Sequence, residues 1–237
     1  EVLGVSPGNY NRQGAFAEYV AIPQHVLYKI PDNVSFEHAA MVEPIAVALH
    51  AVNIANPKIG DSCAVVGIGM IGSFILQLLH ISGIQNLIAI DINDQLLHDS
   101  KNLGTTMAIR ADEKKMKDVI MAGTKNRGVD VSFEAVGISE SVNTAVDILR
   151  KGGKTVLVGN LSPSVQFPLQ KVVTREIKVL GSCAIRGEYE AVLELLSKGK
   201  INPDSQISAI APLSEGAGWF SRLYTNKEGL KKVILKP

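Results

Sequence analysis

Residues 62–72 read Ser62-Cys63-Ala64-Val65-Val66-Gly67-Ile68-Gly69-Met70-Ile71-Gly72. An unbroken apolar run meets G-x-G-x-x-G, and an apolar stretch with helical spacing follows over Met70–Ser82. A strand, a glycine-rich turn and a helix in that order form the context in which this motif binds a dinucleotide. Each glycine has its own reason: Gly67 permits the tight turn, Gly69 lets a pyrophosphate approach the backbone, and Gly72 lets the helix pack closely on the sheet. The free N–H groups and positive dipole end of the helix then face the phosphates, flanked by Met70 and Ile71. Asp91 closes the next strand, 19 residues after Gly72, where a carboxylate accepts hydrogen bonds from an adenosine ribose. Its charge repels a 2′-phosphate, and Ile92-Asn93-Asp94-Gln95 offers no cation to hold one. The expected cofactor is NAD rather than NADP. A methyltransferase binding S-adenosylmethionine also places a glycine-rich loop and an acid at these points, but Gly69 sits where a pyrophosphate must come close.

The pattern continues outward from this motif. Apolar runs predict strands at Ser62–Ile68, Asn86–Ile90, Met107–Arg110, Val129–Ala135, Lys154–Val158 and Ile177–Gly181. Helical spacing predicts helices at Met70–Ser82, Gln95–Leu103, Lys114–Ala122, Ser139–Arg150 and Glu188–Lys198. Strands that are apolar throughout and alternate with helices predict a parallel sheet covered on both faces. The fold class is therefore α/β, a Rossmann doubly wound parallel sheet. Outside it, Ser6-Pro7-Gly8-Asn9 predicts a turn, and Ala15–Ile22 and His25–Ile30 predict short strands. Ser35 is placed to cap a helix, and the helical spacing of Ala39–Val52 must be kinked or restarted by Pro44. Ile207–Pro237 predicts short strands and one helix around Trp219.

Composition bounds the function. The 237 residues are 46% hydrophobic and 20% charged, enough apolar material for a core and too much for a disordered chain. The formal net charge of +1 supplies no basic excess for nucleic acid or an anionic membrane surface. No apolar run reaches the roughly 18–20 residues a membrane helix needs. Two cysteines, Cys63 and Cys183, exclude a disulfide framework or an all-Cys structural metal site, and the default setting is the cytoplasm. Glu1–Tyr10 has neither the basic start nor the apolar centre of a signal peptide. His80 and His98 fall on predicted helices as surface residues, and Cys63 on a strand as a small buried hydrophobe.

Several further segments carry a resemblance. Gly14-Ala15-Phe16-Ala17-Glu18-Tyr19-Val20, Ile30-Pro31-Asp32-Asn33-Val34-Ser35-Phe36-Glu37 and Glu43-Pro44-Ile45-Ala46-Val47-Ala48 precede the glycine motif. Phe133-Glu134-Ala135-Val136-Gly137, Val156-Leu157-Val158-Gly159, Gly181-Ser182 and Gly229-Leu230-Lys231-Lys232-Val233 follow it. In this order they resemble the carboxy-terminal two-thirds of medium-chain, zinc-dependent alcohol and polyol dehydrogenases of the sorbitol and threonine dehydrogenase type. The resemblance implies an NAD-binding Rossmann domain at 47–200, with 1–46 and 201–237 as remnants of a β-rich, GroES-like catalytic domain. It implies that Val136 and Gly137 line the cofactor cleft. Val158, Gly159, Ser182 and Cys183 would flank the nicotinamide, with Val47 packed on its face. Glu43 matches a zinc-ligand position of polyol dehydrogenases.

The implied reaction passes a hydride between NAD and the carbinol carbon of a polyol, sugar or amino alcohol, with zinc on the oxygen in the full-length protein. The implied assembly is a homodimer or homotetramer, paired through the sheet edge after Ile177–Gly181 and the Val165–Leu169 stretch. Zinc-free quinone or enone reductases of the same superfamily, and a non-catalytic NAD-binding module, are the alternatives. The remaining zinc ligands and most catalytic groups of the family have no counterpart in this sequence, which contains no Gly-His-Glu. A polypeptide limited to residues 1–237 is therefore expected to bind NAD, hold no stoichiometric zinc and show negligible dehydrogenase activity.

Overall fold

The computed structural model describes residues 14–225 and 228–237, and the expected turn at Ser6–Asn9 lies outside them. The chain divides into two units: Val42–Ile201, and the flanking residues up to Met41 and from Asn202 on. The division falls before the expected boundary at 46/47, because the helix that carries Pro44 is continuous from Val42 to Ala55. A short helix, α1 (Phe36–Ala39), is capped by Ser35, whose Oγ accepts the His38 N–H at 3.1 Å. The chain then turns at Ala40–Met41 and restarts as α2 (Val42–Ala55). Pro44 sits in the first turn of α2, where no intrahelical partner needs its missing N–H, so the restart precedes it and no kink follows.

The larger unit holds six parallel strands in the order β3-β2-β1-β4-β5-β6. They are β1 (Ser62–Val66), β2 (Asn86–Asp91), β3 (Met107–Arg110), β4 (Val129–Glu134), β5 (Leu149–Leu157) and β6 (Lys178–Gly181). The intervening helices are α3 (Met70–Ile81), α4 (Asp94–Ser100), α5 (Met116–Gly123), α6 (Ser139–Asp147) and α7 (Leu169–Thr174), and α8 (Tyr189–Ser197) follows β6. Every residue of β1 and β4 is buried. Alternation along β1 sends Ala64 and Val66 into a cluster with Ile120 of α5 and Ala145 and Val146 of α6. Val65 points to the other face, toward α3. The expected elements hold, with two differences: α7 forms between β5 and β6, where the pattern predicts no helix, and one expected helix is shorter. The helix read as Ser139–Arg150 ends at Asp147, because Leu149 pairs with Val129 of β4 and becomes the first residue of β5. Strand pairing there outweighs helical spacing.

The smaller unit contains β7 (Ile207–Pro212) and β8 (Lys232–Lys236), paired in parallel, with α9 (Gly216–Thr225) between them around Trp219. The strands expected within Ala15–Ile22 and His25–Ile30 are not formed. Residues 14–23 have no regular structure, and Gln24–Val26 is a single 3₁₀ turn. Period-2 patterning makes a strand only where a neighbour supplies hydrogen bonds, and these residues find none among the described strands; Phe16, Tyr19 and Leu27 are exposed. No helix among the described residues is long and apolar enough to cross a membrane.

Candidate cofactor site

The site lies at the carboxyl ends of β1, β2, β4 and β5, where β1 has β2 on one side and β4 on the other. This is the point where the strand order reverses and open α/β sheets bind ligands. Gly67 leaves β1 with φ +91°, and a Cβ there would lie 2.4 Å from Val136 Cγ2. A Cβ on Gly72 would lie 1.9 Å from the Gly67 carbonyl oxygen. The first turn of α3 is therefore packed against the loop that precedes it. Gly69 is the opposite case. It is exposed, has extended backbone, and a Cβ added there would meet nothing within 4 Å. As N-cap it gives α3 no side-chain cap hydrogen bond, so the first N–H groups of α3 open toward solvent. Ser73 locks the turn from below by donating its hydroxyl to the Ile68 carbonyl at 3.1 Å.

Asp91 ties the turn to the end of β2. Its Oδ2 accepts the Ile68 N–H at 2.6 Å and its Oδ1 accepts the Asn93 N–H at 2.9 Å. A carboxylate offers about four lone-pair sites, so two remain for a ribose diol. Gly67, Asp91 and Val136 line one cavity of about 370 Å³, together with Asp112, Ile138 and Glu140. A second cavity of about 270 Å³ is lined by Ile71, Val136, Val158, Gly159 and Asn160. The two share Val136, at the turn after β4. That turn is held by Glu134, which is fully buried. Its Oε1 accepts the Val136 and Gly137 N–H groups at 2.9 and 2.8 Å, while Oε2 has no partner among the described residues.

Other expected residues stand apart from these cavities. Ser182 continues past β6, with its N–H on the Leu157 carbonyl at 2.9 Å, and Cys183 is exposed beside it. Val47 is half-buried and Glu43 exposed, both on α2. None of the four lines either cavity. Cys63 is buried as expected, which pushes its thiol up to about 12, and His80 and His98 are exposed.

Sequence reading missed three features. Glu134 is one: it stands in the resembling segment Phe133–Gly137, but nothing in that segment shows that its carboxylate holds the turn. The second is a pair between α2 and the segment after β6. His50 Nδ1 lies 2.8 Å from Glu188 Oε1, both largely buried, and Glu188 Oε2 also accepts the Arg186 N–H. Burial pushes the Glu188 carboxyl up, but the Arg186 and His50 hydrogen bonds outweigh it and hold it below the usual carboxylate range. The third is Arg110, which ends β3 as the Cα partner of Asp91. The residues following Asp91 carry no cation, whereas the neighbouring strand delivers one.

A family model described as zinc-binding dehydrogenase matches residues 70–198, more than half of the chain. The (R,R)-butanediol dehydrogenase of Bacillus subtilis is 33% identical over 241 residues; the chain spans 66% of that protein's length, and 99% of the chain is covered. A solved Escherichia coli alcohol dehydrogenase in complex with NADH superposes with a TM-score of 0.89 at 26% identity, covering 100% of this chain and 68% of that one. A Sinorhizobium meliloti protein solved with NADP superposes with a TM-score of 0.84 at 28% identity, covering 95% of this chain and 67% of that one.

Proposed function

The chain belongs to the zinc-binding dehydrogenase family, and from that premise we propose that residues 42–201 hold NAD for hydride exchange with a secondary alcohol of a polyol, sugar or amino alcohol. The observation that carries the cofactor reading is the open face at Gly69 beside the bridging carboxylate of Asp91. NAD, when bound, supplies the ring carbon that accepts or returns the hydride. The residues of the chain bind and orient it. The N–H groups at Gly69, Met70 and Ile71 are placed for the pyrophosphate, and Asp91 for the adenosine ribose hydroxyls. Val136 lines both cavities, Gly137 follows it in the turn after β4, and Val158 and Gly159 wall the second cavity. Ser182, Cys183 and Val47 are proposed to border the nicotinamide. The butanediol dehydrogenase and the NADH complex among the relatives support this assignment.

The metal fits less well. Among the described residues no three His, Cys, Asp or Glu side chains come together to hold an ion. A catalytic zinc takes three protein ligands. Glu43 is proposed as one ligand of such a site, which the described residues do not complete.

Asp91→Ala is expected to weaken NAD binding by about 1–3 kcal/mol, the range for losing hydrogen bonds to a charged group. Affinity for NADP should fall less, or improve, because the repelling charge is gone. Calorimetric titration of both cofactors checks this; wild type binding NADP as tightly as NAD would overturn the role given to Asp91.

Assembly as a homodimer or a homotetramer built from such dimers is also proposed. Among the described strands β6 ends the sheet and has one edge without a partner, and Leu169 and Val173 on the neighbouring α7 are 64% and 66% exposed. Sedimentation at micromolar concentration should show a dimer or larger, and a monomer there would contradict the proposal. Small-molecule alcohols are the proposed substrates. The two free thiols suit a reducing compartment, the cytoplasm.

A further inference from the structure

The first cavity bears three carboxylates, Asp91, Asp112 and Glu140. Beside it stands Arg110, one strand spacing of about 4.8 Å from Asp91 across the β2–β3 ladder. A guanidinium in that place is suited to bidentate capture of a phosphate monoester. Here three of its five N–H donors are engaged by carboxylates. Nε and Nη2 donate to the two oxygens of Asp112 at 2.9 and 2.8 Å, and Nη1 donates to Asp94 Oδ1 at 2.7 Å. One positive charge is thus set against two negative ones, with Asp91 adding a third. The side chains of Asp94 and Asp112 are 81% and 58% exposed, and exposed pairs contribute little to stability. The arrangement therefore adds little to the stability of the fold.

We propose that Arg110 is a masked phosphate-monoester site: Asp94 and Asp112 withhold its guanidinium from the 2′ position of the adenosine ribose. Cofactor choice then depends on three acids rather than on Asp91 alone. The inference rests on the NAD reading above and extends it. Asp91→Ser by itself removes a repulsion but adds little attraction, because Asp94 and Asp112 still balance the Arg110 charge and hold three of its donors. Removing Asp94 and Asp112 as well frees a fork of donors for the extra phosphate.

The experiment titrates the full chain calorimetrically with NAD and NADP in five forms: wild type, D91S, D94S/D112S, D91S/D94S/D112S, and the triple variant carrying R110Q. The triple variant should bind NADP about tenfold more tightly than D91S, the scale of one added charge-assisted hydrogen-bond set. R110Q should erase that gain. D94S/D112S keeps both turn contacts of Asp91 and should also bind NADP more tightly than wild type, which covers the case in which the triple variant folds poorly. A triple variant no better than D91S, or a gain that survives R110Q, overturns the proposal while leaving the NAD reading standing. A wild-type chain that binds neither cofactor overturns both.

Discussion

Gly69→Ala is expected to leave the melting temperature of the chain unchanged and to weaken NAD binding at least tenfold, while Gly72→Ala lowers stability by about 3 kcal/mol and abolishes measurable binding. The two glycines stand three residues apart but face different constraints. At Gly69 a methyl group meets no protein atom within 4 Å and the backbone, at φ −63°, is open to any residue. The added carbon can only obstruct what approaches from outside, and that is where the pyrophosphate must come close to the N–H groups of α3. At Gly72 the added carbon would stand 1.9 Å from the Gly67 carbonyl oxygen and 3.0 Å from its carbonyl carbon. Both are backbone atoms, so no rotamer change relieves the overlap, and α3 must move away from the turn. Thermal melts beside cofactor titrations of the two variants test the distinction. Equal loss of stability in both would contradict it.

Asp130→Ala should cost about 3 kcal/mol of folding stability, because a buried carboxylate there serves several donors at once. Asp130 is 8% exposed. Its Oδ2 accepts both the N–H and the hydroxyl of Ser62 at 2.9 Å, and its Oδ1 accepts from Arg150 Nε at 2.5 Å and Arg127 Nη2 at 3.1 Å. Alanine leaves the start of β1 with buried donors and no acceptor. Burial pushes the Asp130 carboxyl up, but the Ser62 and Arg150 hydrogen bonds outweigh it and hold it below the ordinary aspartate range. A depressed value in the folded state means stability that is present above the unfolded pKa, about 4 for aspartate. That contribution is lost as pH falls through the lower, folded value. Denaturant unfolding should therefore weaken more steeply below pH 4 in wild type than in Asp130→Asn. Identical acid dependence in the two proteins would contradict the assignment.

The legible parts of the fold were those where one local pattern decides the outcome. β1 over Cys63–Val66 and β2 over Leu87–Ile90 are apolar because both faces are covered, and such a buried run shows in sequence, whereas β4 is equally buried yet carries Asp130, Ser132 and Glu134. The turn at Gly67–Gly72 was readable because each glycine answers a separate steric demand. What escaped depended on partners distant in sequence. Leu149 reads as the end of a helix until β4 lies beside it. Ala17, Tyr19 and Ala21 read as a strand, yet no described strand pairs with them. The site follows the same rule. Asp91 was found by its spacing, but Arg110, 19 residues beyond it, meets it only through the β2–β3 register. Glu188 meets His50 only because α8 packs on α2. Short-range motifs record the backbone of a site, while its charge balance is set by strand order.

Titration of the purified 237-residue chain with NAD and with NADP, followed by calorimetry at neutral pH, tests the central claim most directly. The account predicts saturable binding of one NAD per chain, with NADP at least tenfold weaker, as expected when a carboxylate replaces a phosphate-binding cation at the ribose. Absence of saturable NAD binding, or NADP bound as tightly as NAD, would contradict it.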